Sequence, residues 1–84
     1  MLTNVVLFET KKENLVEIID TLSQYKLGFI NKRTEMNIER VEDEEGNELY
    51  EVSIEVKKKN LQDCLTQLIT MSRNSIFIDN LLVV

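Results

Sequence analysis

From Tyr50 to Lys57 apolar and polar residues alternate without a break, Tyr50, Val52, Ile54 and Val56 against Glu51, Ser53, Glu55 and Lys57. A period of two places one set on each face of a strand, and a slip by one residue would carry the apolar set into water and the charges into the core. The segment therefore predicts a strand with one buried face and a well-specified register. The stretch before it, EDEEGNE from Glu42 to Glu48, is polar and contains Gly46-Asn47, a dipeptide that supplies the positive backbone angles of a tight hairpin. An upstream strand should turn back there. Ile30, Thr34, Met36 and Ile38 share one parity and Asn31, Arg33, Glu35 and Asn37 the other, the pattern of a half-solvated strand.

Outside this hairpin the periodicity changes twice. The run LTNVVLFET, Leu2 to Thr10, has Val5, Val6, Leu7 and Phe8 in succession, which suits a strand central in a sheet. Leu15, Ile18, Ile19, Leu22 and Tyr25 then recur at helical spacing, with Asn14 as the expected cap and Gly28 as the stop. A second helical stripe, Leu61, Cys64, Leu65, Leu68 and Ile69, follows Asn60 as cap, has Asp63 in its first turn, and ends at Arg73-Asn74-Ser75. The tail IFIDNLLVV, Ile76 to Val84, is β-branched and apolar and predicts a final strand.

The order strand, helix, strand, strand, helix, strand is that of the split βαβ, ferredoxin-like arrangement. The expected fold is α+β: residues 1–84 as one domain, a four-stranded antiparallel sheet in the order 4-1-3-2, and two helices on one face. Two short helices cannot cover every apolar residue of such a sheet. Val6 or Val5, Phe8 or Leu7, and part of Leu81 to Val84 should point away from them, and an apolar uncovered sheet or an unpaired last strand completes itself by meeting a second copy. A homodimer is expected, with Val6, Phe8, Leu82 and Val84 as its interface.

Composition narrows the chemistry. The 84 residues include no His, Pro or Trp and one Cys, so imidazole acid/base catalysis, a Cys/His metal site and an internal disulfide are excluded. No enzyme activity, cofactor or metal is expected. The net charge of −5 repels phosphate backbones and argues against nucleic acid. Nine of the fifteen acids lie between Glu35 and Glu55, so the charge is local, and Lys57 to Lys59 form the one basic run. Ile76 to Leu81, IFIDNL, is similar to an RNA-recognition hexapeptide, but it stands on the last strand and not the first, and the paired strand has no basic-aromatic companion. Cys64 lies on an apolar helical stripe and reads as a small hydrophobe. The acids Glu42, Asp43, Glu44, Glu45 and Glu48 lack the fixed spacing of a calcium loop and read as a solvated hairpin tip.

The helix NLVEIIDTLSQYKLGF, the strands NKRTEMNIERVE and LYEVSIEVK, and the closing stretch LQDCLTQLITMSRNSIFIDNL resemble ACT-like regulatory domains, most of all the C-terminal soluble domain of MgtC/SapB-type bacterial membrane proteins. The resemblance implies a non-enzymatic regulatory module, cytoplasmic and tethered through a membrane segment outside this chain, or a free-standing relative. It also implies a small-molecule effector at the loop before the first helix, here Lys11, Lys12, Glu13 and Asn14, with Asn14 where the family has a glycine. The competing expectation is a stand-alone inhibitor or adaptor whose acidic hairpin, Glu42 to Glu51, fills a basic groove on a partner.

Overall fold

A computed structural model describes residues 3–24 and 36–84. Tyr25 and Gly28, assigned above to the end of the first helix, and Ile30 to Glu35, assigned to the second strand, lie outside the described residues. The elements in order are β1 (Thr3–Thr10), α1 (Lys12–Gln24), β2 (Met36–Glu42), β3 (Glu48–Lys57), a single 3-10 turn (Lys58–Asn60), α2 (Leu61–Arg73) and β4 (Asp79–Val83). The strands form one antiparallel sheet in the order β2-β3-β1-β4, or β4-β1-β3-β2 counted from the opposite edge. The fold is α+β.

The β1–β3 pair is the spine, running in one register from Thr3 opposite Lys57 to Thr10 opposite Tyr50. Glu51 and Glu55 on β3 would be ionised in the core, so Val52, Ile54 and Val56 turn inward. The register then places Val6 opposite Ile54 and Phe8 opposite Val52 on the same side. All four are at most 1% exposed. Ile18 and Leu22 of α1 and Cys64, Leu68 and Met71 of α2 join them in one cluster, so both helices meet the same face of the sheet. Each fully buried aliphatic or aromatic side chain contributes roughly 1.5–3 kcal/mol. This corrects the expected interface: Val6 and Phe8 are core residues, and the β1 residues turned away from the helices are Val5 and Leu7, both half-buried.

The helices keep their expected stripes with shifts at the ends. Helix α1 begins at Lys12, so Asn14 sits inside its first turn and is not its cap. Asn60 occupies the position before α2, yet its side chain makes no capping hydrogen bond. Ile69 is 45% exposed, and the buried stripe passes instead from Leu68 to Met71, about one turn on. The expected final strand also starts late, because Ile76 is used to close α2. The Asn74 and Ile76 amides both donate to the Met71 carbonyl, Ser75 takes a left-handed φ of 74°, and Ile76 and Met71 are both buried. That is a Schellman-type stop with its hydrophobic contact, with serine where glycine is common.

The hairpin is a three-residue loop, Glu44 to Gly46, between Asp43 and Asn47. The Gly46 amide donates to the Asp43 carbonyl and the Asp43 amide to the Asn47 carbonyl, each at 3.0 Å. Gly46 has φ +83, whereas Asn47 does not enter the left-handed region, so of the expected dipeptide Gly46 alone supplies a positive angle, in a turn that ends in a glycine bulge. Asp43 Oδ1 accepts from the Glu45 and Asn47 amides at 2.9 and 2.8 Å, and Oδ2 accepts from Asn47 Nδ2 at 3.0 Å.

Two outcomes follow from these turns. Ser75→Gly should stabilise the protein by a few tenths to about 1 kcal/mol, read as a higher urea midpoint at unchanged m. The Asn47 backbone and side-chain amides, helped by those of Glu45 and Gly46, hold the Asp43 carboxyl below the usual aspartate range. Its contribution to the hairpin is then complete above the ordinary aspartate pKa and is lost as pH falls through the depressed one. An NMR pH titration should show the Asn47 amide moving at a pH below that of an unstructured aspartate.

Candidate functional site

The junction between β1 and α1 is one residue long. Thr10 ends the strand, Lys12 starts the helix, and Lys11 between them accepts the Asn14 amide at its carbonyl at 3.0 Å. The four residues expected to bind a ligand thus lie at a helix start, and two of them, the exposed Lys11 and the half-buried Asn14, reach Phe77 across the molecule. The Thr10 hydroxyl, fully buried, donates to the Phe77 carbonyl at 2.6 Å, and the Phe77 amide donates to Asn14 Oδ1 at 3.1 Å. The Lys11 ammonium stands 5.0 Å from the centroid of the Phe77 ring. Both polar groups of the Phe77 peptide are therefore satisfied by the β1–α1 junction, which explains why Ile76 to Ile78 do not extend β4. Lys12 and Glu13, exposed like Lys11, make none of these contacts with Phe77.

Around Phe77 lies an open cleft of about 630 Å³ lined by Lys11, Lys12, Glu13, Leu49 and Asp79 among others. Leu49 is 7% exposed although it belongs to the parity of β3 that faces away from the helices. On the opposite parity Arg40 Nε meets Glu48 Oε2 at 3.2 Å, and the Tyr50 hydroxyl donates to Glu48 Oε1 at 2.6 Å. The Tyr50 bond, with the Arg40 charge, lowers the Glu48 pKa, and the same hydrogen bond raises that of Tyr50. Glu48 and Asp43 are thus engaged within the hairpin, and the tip presents Glu42, Glu44 and Glu45 to water.

The sheet face away from the helices carries a different set. On β1 and β4, Leu7 stands opposite Leu82, and Val5 exchanges backbone hydrogen bonds with Val84 at 3.0 and 2.8 Å. Leu82 and Val84 are 58% and 72% exposed. Of the expected interface residues these two lie on the open face, next to Val5 and Leu7. Beyond them the register shifts: Asn80 takes φ 52, Asp79 falls opposite Glu9, and Asn80 Nδ2 donates to Glu9 Oε1. The bulge was not legible in the sequence, where only an asparagine inside an apolar strand hinted at it.

Cys64 is buried, and burial alone pushes its thiol up to about 11, so the thiolate is scarce at neutral pH. Among the described residues no group of three or more acid or cysteine side chains is gathered closely enough to hold a metal ion, and no helix is long and apolar enough to cross a membrane. Compared with known proteins, the chain matches no family model, no curated protein and no solved structure.

Removing one arm of the Phe77 contact tests its weight. Thr10→Val keeps the shape and deletes the hydroxyl, leaving the Phe77 carbonyl without that donor, and should cost about 1–2 kcal/mol in chemical denaturation. Hydrogen exchange should speed up first at the amides of β4, while those of β3 keep their protection.

Proposed function

We propose that the chain is a non-enzymatic regulatory and interaction module of ferredoxin-like, ACT-like topology that associates with a second copy along β4. The observation that carries this reading is the asymmetry of the two sheet edges. Edge strand β2 bears Glu39, Arg40 and Glu42, the charges by which edges resist pairing. Edge strand β4 carries Leu81, Leu82 and Val83, followed by Val84 still bonded to Val5, with no charged side chain beyond Asp79. Antiparallel pairing of two β4 edges would continue the sheet and bring the exposed Leu82 and Val84 of both copies together, while Glu39, Glu51 and Glu55 stay at the periphery.

The regulatory part of the reading rests on Phe77. Its peptide is held by Thr10 and Asn14, and its ring by Lys11, immediately before β4 starts. An effector that competed for Lys11 or Asn14, with Lys12 and Glu13 at the rim of the same cleft, would release Phe77 and with it the start of the pairing strand. Effector binding and association would then be linked through their difference in affinity for the two arrangements. A cytoplasmic setting, tethered or free, belongs to the MgtC-type resemblance and is part of the same proposal.

Sedimentation equilibrium over a wide concentration range is the test. The expected result is a mass rising from one chain to two, and a double variant Leu82→Glu/Val84→Glu that weakens association by roughly 10- to 100-fold with an unchanged circular dichroism spectrum. A mass of one chain at every concentration removes the self-association reading.

A further inference from the structure

Beside the apolar residues Leu82 and Val84 that self-association along β4 would engage, the open face of the sheet carries a row of acids that it leaves free. The registers place Asp79 of β4, Glu9 of β1, Glu51 of β3 and Glu39 of β2 in one row across all four strands. Neighbouring strands are about 4.8 Å apart, so the row spans roughly 14 Å. Like charges directly opposite each other on one face destabilise a sheet. Glu55 adds a further acid beside Val5, and among the described residues Lys57, opposite Thr3, is the one base on this face of the strands. The ion pairs among the described residues, Arg40 with Glu42 and with Glu48, lie on the other parity at the hairpin end. Lys11 and Lys12 border the cleft that Glu9 and Asp79 share, but Lys11 is turned over Phe77. Beside the acid row lies the apolar block of Val5, Leu7, Leu82 and Val84.

We propose that this face docks a cationic amphipathic segment of another protein, its apolar side chains covering Leu7 and Leu82 and its Lys or Arg side chains meeting the row of Glu9, Glu51 and Glu39. Charge complementarity selects this occupant. A second copy stacked face to face would set one acid row against another, and nucleic acid or an anionic lipid surface would meet like charge. The partner's cations would relieve a repulsion that the free sheet carries, so the row trades stability of the free domain for affinity. The inference does not depend on self-association along β4.

The test uses the full chain labelled with ¹⁵N and three synthetic peptides of about 14 residues, roughly 21 Å of helix. One is built of Leu and Lys with an apolar face, one has its Lys changed to Glu, and one has its Leu changed to Ser. The Leu/Lys peptide should bind saturably, with shifts confined to the open face of β1, β3 and β4. Glu9→Gln/Glu51→Gln should weaken it roughly tenfold, and Leu82→Ser should weaken it also. Glu44→Gln/Glu45→Gln, the same change of charge at the hairpin tip, should leave it unaltered. The Leu-to-Ser and Lys-to-Glu peptides should bind much more weakly or not at all. Free Glu51→Gln should melt roughly 2–4 °C higher than the parent. The proposal is overturned by absent saturable binding, by shifts centred on the hairpin or helices, or by equal losses in the hairpin variant. It is overturned too if the Leu-to-Ser peptide binds as well as the Leu/Lys peptide, or if Glu51→Gln leaves the melting temperature unchanged or lowers it.

Discussion

Everything in the fold depends on the antiparallel pairing of β1 with β3 and on which side of that pair is dry. Glu51 and Glu55 leave β3 a single choice of buried face, and the register carries the choice to β1, where Val6 and Phe8 follow Ile54 and Val52 inward. Both helices then cover the same face, with Ile18 and Leu22 from one and Cys64, Leu68 and Met71 from the other. Since both helices cover that one face, the opposite parity of the described strand residues, the buried Leu49 apart, is left for other contacts, and its composition governs what they can be.

Placement of the last strand depends on a smaller constraint. Two hydrogen bonds and a cation over a ring tie Phe77 to the β1–α1 junction, and the Schellman-type stop fixes Ile76 one residue earlier. The path into β4 is thereby determined on both sides before the strand begins at Asp79. The bulge at Asn80 then twists the strand and aligns Asp79 with Glu9. A loop of one residue at one end of the sheet is in this way coupled to the exposed edge.

The alternating strand at Tyr50 to Lys57, the two amphipathic helices and the hairpin were legible because each repeats a period that one physical state explains. The helix ends were not. Asn14 has the chemistry of a cap, but a carboxamide also bonds any amide that folding brings near it, and here the Phe77 amide lies 63 positions away in the chain. Ile76 has the composition of a strand residue and is used instead as the hydrophobic contact of a helix stop. The candidate site was legible only in part: Leu82 and Val84 lie on the open face, Val6 and Phe8 do not, Lys11 and Asn14 reach Phe77, and the row of acids was invisible because its members come from four separate strands.

From the amino-acid order alone came the element types, the antiparallel α+β character, the dryness of one face of β3, and the exclusion of imidazole chemistry, since each follows from local period or from composition. The tertiary structure alone decided whether Val5 and Leu7 or Val6 and Phe8 would be inside. Val5 to Phe8 is apolar throughout, with no polar member to break the tie, and only cross-strand register, a relation between residues more than forty positions apart, can break it.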